Sequence, residues 1–269
     1  MGITSALVKE LREKTGVGMM NCKKALVENG GDLEKAVQYL REKGLAVASK
    51  KADRAASEGR IFTVVDGGNG VLLELNCETD FVASNDEFDA LGRKIAKFAL
   101  SENLKTSEAI QASSVDGKPF NEFLSEAILK LGENLQLGRV ESVSTDGSVS
   151  SYEHSNGKIG VLVGFSSAIS EDLGRDIAMH VAASQPQYIQ ESDVDQSFLD
   201  QERQVLKTQV ENEGKPAEIA DKIVEGKLKK QLKEICLLDQ AFVKNPDQSI
   251  AQLLPDGTAI AHFSRFSLV

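Results

Sequence analysis

The chain has 269 residues, 41% of them hydrophobic, and a formal net charge of −10. That length holds one large domain or two to three small ones, with enough apolar content for a buried core. Lys and Arg are scattered among the acids with no long basic block, which argues against direct nucleic-acid binding. Residues 1 to about 44 read as three short helices. Thr4 or Ser5 caps the first, which carries Leu7, Val8 and Leu11 on one face and stops at Thr15-Gly16-Val17-Gly18. The second runs near Asn21–Glu28 with Cys22, Ala25 and Leu26 inward. Asp32 caps the third, with Leu33, Ala36, Val37 and Leu40 at helical spacing, and Gly44 closes it.

The odd feature of this unit is Gly16-Val17-Gly18-Met19-Met20. Two glycines allow a tight turn, and Val17 with the adaptable Met19 and Met20 is expected at or near the surface, although Met as core filler suits at least one of them. Together with Gly31-Asp32-Leu33-Glu34-Lys35-Ala36-Val37-Gln38-Tyr39-Leu40, the unit resembles a ubiquitin-associated domain. Leu45–Glu58, Ala-rich and charged, reads as a linker, with a helical form left open.

Arg60–Val65 and Val71–Asn76 form a hairpin across Asp66-Gly67-Gly68-Asn69-Gly70. A long loop follows, Asn76-Cys77-Glu78-Thr79-Asp80-Phe81-Val82-Ala83-Ser84-Asn85-Asp86, then a helix to about Leu100. Strand-to-helix connections are usually short. An apolar pair, Phe81-Val82, at the centre of such a loop either folds back into a core gap or is offered to a partner. The chain holds an internal comparison. Val161-Leu162-Val163-Gly164-Phe165 matches Val71-Leu72-Leu73-Glu74-Leu75, and Leu173-Gly174-Arg175-Asp176-Ile177-Ala178 matches Leu91-Gly92-Arg93-Lys94-Ile95-Ala96. The first copy spaces strand and helix eight residues further apart, and those residues contain Thr79-Asp80-Phe81-Val82. One copy closes without the extra length, so the insertion reads as functional.

Glu122–Leu131 is a further helix. A three-strand meander is expected at Arg139–Ser144, Ser148–His154 and Lys158–Phe165, followed by a helix over Glu171–Ser184. Asp193–Glu213 and Ala217–Leu237, around Gly214-Lys215-Pro216, read as an antiparallel helical hairpin with Val194, Phe198, Val205 and Val210 facing Ile219, Ile223, Leu228, Leu232 and Ile235. Ser249–Leu254 reads as a short helix and Ala259–Val269 as a strand completing the second sheet. The expected class is α+β: a three-helix module, two related hairpin-plus-helix halves with antiparallel sheets, and an inserted helical hairpin. The divisions are 1–52 for the module and linker, 53–138 for the half bearing the loop, 139–185 with 238–269 for the other half, and 186–237 for the arm.

Several chemistries lack their signatures. Cys22, Cys77 and Cys236 are far apart and read as small buried hydrophobes of a reducing compartment. His154, His180 and His262 are dispersed, no phosphate-loop or nucleophile-elbow motif occurs, and His180 reads as a satisfied core histidine. No cofactor or metal is expected. No apolar run spans a membrane and Met1–Ala6 shows no secretory pattern, so a cytoplasmic binding protein is expected.

Three ordered stretches resemble the bacterial elongation factor Ts family: Leu11–Leu26, Cys77-Glu78-Thr79-Asp80-Phe81-Val82-Ala83, and the arm motif through Gly214-Lys215-Pro216 and Ile219–Gly226. The resemblance implies a guanine-nucleotide exchange factor for elongation factor Tu, without bond chemistry of its own. It implies that the helical module docks through Val17, Gly18, Met19 and Met20. It implies, too, that Thr79, Asp80, Phe81 and Val82 insert into the partner, displace its magnesium and disturb its phosphate-binding loop. A homodimer or a 2:2 complex, through core or arm, is left open. Two rival classes are an adaptor of the ubiquitin-associated type, which leaves the insertion unexplained, and an enzyme using Asp80 as acid or base, which needs a second titratable group beside the loop.

Overall fold

The computed structural model describes residues 3–213 and 216–269; Met1, Gly2 and the Gly214-Lys215 pair of the arm motif lie outside the described residues. Helix α1 is Ser5–Thr15, and Leu7 N–H donates to the capping Thr4 Oγ1 (3.3 Å). Gly16 ends it at φ 66°, a left-handed position that suits glycine. Helix α2 is Met19–Glu28, and α3 is Leu33–Lys51, capped by Asp32, which accepts from Lys35 N–H (3.0 Å). Val8, Leu11, Val17, Cys22, Ala25, Leu26, Ala36 and Leu40 form the small core between them.

Two expectations change here. Gly44 does not close the third helix, which runs on to Lys51 and takes up the first half of the expected linker. Gly44 is instead a contact point. A Cβ there would stand 3.3 Å from the Ser125 carbonyl oxygen, so glycine lets the helix pack closely despite its ~1 kcal/mol propensity cost. The second change is Val17, which is buried at 4% exposure rather than displayed.

The core begins with the hairpin β1 (Glu58–Asp66) and β2 (Asn69–Cys77), turning through Gly67 and Gly68. Then come a one-turn helix α4 (Asp80–Ala83), α5 (Asp86–Ser101), α6 (Ser107–Gln111), a two-residue pair β3 (Ser114–Val115) and β4 (Lys118–Pro119), and α7 (Phe120–Leu131). Next are β5 (Gln136–Ser144), β6 (Ser148–Glu153), β7 (Ile159–Phe165) and α8 (Glu171–Ser184). The arm is α9 (Gln196–Asn212) and α10 (Ala217–Ile235). A small hairpin, β8 (Ala241–Phe242) and β9 (Asn245–Ser249), leads through α11 (Ile250–Leu253) to β10 (Ile260–Ser267).

Two antiparallel sheets, ordered β1-β2-β5 and β10-β7-β6, pack face to face through Ile61, Leu72, Val143, Val149, Leu162 and Phe266. The expected meander is therefore split. β5 pairs with β2, and the chain changes sheet at Thr145–Gly147, where Thr145 N–H and Val149 N–H donate to the β1–β2 turn at Gly68 and Gly67 (2.8 and 2.9 Å). Helix α5 covers the outer face of the first sheet and α8 that of the second, giving helix, sheet, sheet, helix. The repeated Leu-Gly-Arg marks the same event in both halves. A Cβ at Gly92 would meet the Phe62 ring at 2.1 Å, and one at Gly174 would meet Ser150 Oγ at 2.0 Å.

The arm is an antiparallel helical hairpin, and of the residues expected to face one another Val194, Phe198, Val210, Ile223, Leu228, Leu232 and Ile235 do meet in its core. Leu206, Val210, Ala220, Val224, Leu228 and Leu232 are buried, whereas Val205 and Ile219 face solvent. His180 is fully buried, with Nε2 2.8 Å from Gln240 Oε1, and burial lowers its pKa from the ordinary 6.5.

Candidate functional site

The residues after β2 do not fold back into the core. Thr79 caps α4, accepting from Val82 N–H at Oγ1 (3.3 Å), and the turn buries Ala83 and half-buries Val82. That pose leaves Asp80 exposed and Phe81 85% exposed. Phe81 fills no gap, which removes the core-plug reading. An apolar ring held in water at this level gains nothing from its own fold.

The base of the turn is tied down elsewhere. Glu133, two residues past α7, accepts from Glu78 N–H and Thr79 N–H at Oε2 (3.1 and 3.0 Å) and from Thr79 Oγ1 at Oε1 (2.6 Å). Glu78 accepts in turn from Asn134 N–H (2.7 Å) and lies 3.4 Å from Arg54. The Asn134 N–H and then Arg54 hold the Glu78 carboxyl below its ordinary range, against the opposing effect of burial. The buried Cys77 thiol donates to the Thr79 carbonyl (3.1 Å). Burial first, and neighbouring Glu133 second, push its pKa up to about 12. Neither Glu133 nor Asn134 stands out in the sequence, since a contact across more than fifty residues leaves no periodic trace.

The second expected patch divides. Met19 and Met20 are 53% and 77% exposed and Gly18 is open, while Val17 supports them from the module core. Lys130 lies between the two patches. Its side chain is 2.9 Å from the position of a Cβ at Gly16, and its Nζ is 2.7 Å from Glu87 Oε1, just past the Phe81 turn. The module is also held on α7 by Arg41, whose Nε donates to Glu122 (2.7 Å).

A groove of about 860 Å³ is lined by Lys97, Asn103, Lys105, Glu141 and His262 among others and includes no residue of the turn. His262 Nε2 and Ser264 Oγ both reach the same Glu141 oxygen, a shared-acceptor cluster rather than a nucleophile, base and orienting acid in series. Among the described residues no group of three or more His, Cys, Asp or Glu could hold a metal ion, and no helix is long and apolar enough to cross a membrane.

The exposed apolar turn stands on a braced two-sheet core, and comparison of the sequence with protein families puts the chain among the translation elongation factors. The family model described as Elongation factor TS matches residues 78–269, from the residue before Thr79 to the last strand. The chain belongs to the elongation factor Ts family.

Proposed function

We propose that this protein binds the GDP form of elongation factor Tu and promotes exchange of GDP for GTP, making and breaking no covalent bond. The observation that carries this reading is Phe81, exposed at the head of a capped and braced turn. Met19 and Met20 dock the helical module on the partner, and Phe81 enters beside the nucleotide site with Asp80 at its shoulder. A buried Phe covers ~150–250 Å² and can serve as an anchor worth ~2 kcal/mol or more. Wedged between partner elements, it favours the arrangement in which the phosphate-binding loop is disturbed and magnesium displaced. Magnesium offsets the charge of the diphosphate, so its loss removes a large local attraction. Coupling is reciprocal: a factor that weakens nucleotide binding is expelled to the same degree when nucleotide returns.

The test is release of fluorescent GDP from elongation factor Tu, with wild type and Asp80→Ala/Phe81→Ala. Wild type should accelerate release, and the double variant should lose ~30-fold or more, the equivalent of one anchor, with an unchanged melting curve. Equal acceleration by the variant refutes the role of the turn. No acceleration by wild type refutes exchange itself.

A further inference from the structure

We infer that Glu133 is a positioning residue for Phe81, an inference that rests on the exchange reading above. Helix α4 is a single turn, and one turn fixes several dihedral angles for very few hydrogen bonds, so it does not persist unaided. Phe81 and Asp80 point to solvent and contribute no packing that would hold it.

Val82 and Ala83 pack its inner side on the core; its entry is ordered by the Thr79 cap, and Glu133 sets that cap. The Thr79 hydroxyl has one proton, and Glu133 Oε1 takes it at 2.6 Å, which leaves the hydroxyl oxygen to accept from Val82 N–H. The other carboxylate oxygen takes the N–H groups of Glu78 and Thr79, fixing the backbone that enters the turn. Hydrogen bonds to a charged acceptor are roughly twice as strong as neutral ones.

The same three-residue junction reaches the helical module. Asn134, almost fully buried, donates from Nδ2 to the Arg54 carbonyl (2.8 Å), and Lys51 Nζ bonds the Gly132 carbonyl. Gly132–Asn134 is thus hydrogen-bonded both to the end of the helical module and to the base of the Phe81 turn. A partner that meets both patches meets them at a separation this junction helps to set, together with the packing of α3 on α7. When only a fraction of molecules present Phe81 in the competent pose, apparent affinity falls by that fraction.

The experiment compares Glu133→Ala and Glu133→Gln in the full chain, with and without Phe81→Ala. Two quantities are read: affinity for nucleotide-free elongation factor Tu, and amide hydrogen exchange of the free protein. Glu133→Ala should weaken binding about tenfold, the effect of a competent fraction reduced to a tenth, and should weaken it no further in the Phe81→Ala background. The Val82 and Ala83 amides should lose nearly all their protection, since a closed fraction of about a tenth leaves the turn open for the rest of the time, while those of β2 keep their rates. Glu133→Gln retains a carbonyl for the two backbone donors but turns an NH2 to the Thr79 hydroxyl and loses the charge, so it should recover part of the affinity and fall between Ala and wild type. Equal loss with and without Phe81 overturns the inference, because Glu133 then acts on something else. Unchanged α4 protection in Glu133→Ala overturns it as well, and so does a Gln variant as poor as Ala. Hydrogen exchange needs no partner, so it judges the positioning role even if the wild-type chain fails to release GDP.

Discussion

Substituting Gly92 by alanine tests the fold where both halves of the molecule depend on it. The added Cβ would lie 2.1 Å from Phe62 Cε2 and 2.2 Å from Cζ, against an ordinary carbon contact of ~3.5–4.0 Å. Phe62 cannot swing aside easily. It is fully buried, its ring centroid is 6.3 Å from that of Phe88, and the Arg60 and Arg93 guanidinium carbons stand 5.9 and 5.8 Å from its centroid. Helix α5 must therefore lift from the sheet by more than ~1 Å to restore ordinary contact. Overpacking of this kind costs ~1–3 kcal/mol, and the severity of the overlap puts Gly92 at or beyond the upper end. Alanine returns ~1 kcal/mol through helix propensity. The net loss is ~2 kcal/mol, or ~4–8 °C in melting temperature for a chain of this size. Gly174→Ala is the internal control. Its Cβ would meet Ser150 Oγ at 2.0 Å and Ser150 Cβ at 2.8 Å; the hydroxyl can change rotamer and only the smaller Cβ overlap stays, so its loss should be about 1 kcal/mol, roughly half that at Gly92. Urea unfolding with a shared slope measures both. Equal stability losses at the two glycines would refute the argument from the immobile ring.

Val17→Ala should lower stability by about 2 kcal/mol by opening a cavity in the module core, while Met20→Ala should stay within ~0.5 kcal/mol in urea and weaken partner binding several-fold; the reverse pattern would return Val17 to the docking surface. His180 makes stability fall in mild acid. Its folded pKa lies below the unfolded value of 6.5, so its contribution is complete above that value and is lost as pH falls from there towards the lowered folded pKa. The cause is burial, only partly opposed by the Gln240 hydrogen bond. Unfolding midpoints between pH 7.5 and 5 should therefore drop in wild type and flatten in His180→Gln, and an unchanged slope in the variant would exclude His180 as the source.

Elements long enough to show a period were legible in the sequence. Helix α5 repeats Phe88, Leu91, Ile95 and Ala99 on one buried face, and β2 is almost continuously apolar. Helix α6 and the pairs β3–β4 and β8–β9 are too short to establish any period, and they were missed. Gly44 shows the opposite failure. As local chemistry a glycine after Leu40 is a good helix stop, but contact with Ser125 overrode it. In the arm, the sequence alone could not choose Leu206 over its neighbour Val205. Both are apolar, and only the crossing of α9 on α10 decides which one is inside. The change of sheet after β5 was equally hidden, because a glycine turn between strands looks the same whether the strands pair or part.

The candidate site divides along the same line. The insertion was visible because the chain carries a second strand–helix connection without it, and the exposure of Phe81 removes the competing use for an apolar residue there. Val17 went the other way for a local reason. Gly16 takes the left-handed turn and hands the next residue back to the core, where the Val17 carbonyl accepts from the Cys22 thiol (3.2 Å). Three residues that looked alike in sequence, Val17, Met19 and Met20, thus separate into one buried support and two exposed side chains. What no pattern could reveal is how Phe81 is held, since Glu133 reaches Thr79 from the far end of α7. Its side chain bonds only the entry to α4, so weakening it should spare the core while it frees the turn. A ring exposed to this degree adds no packing of its own to the fold, so the turn that carries it rests on Val82, Ala83 and this bracing.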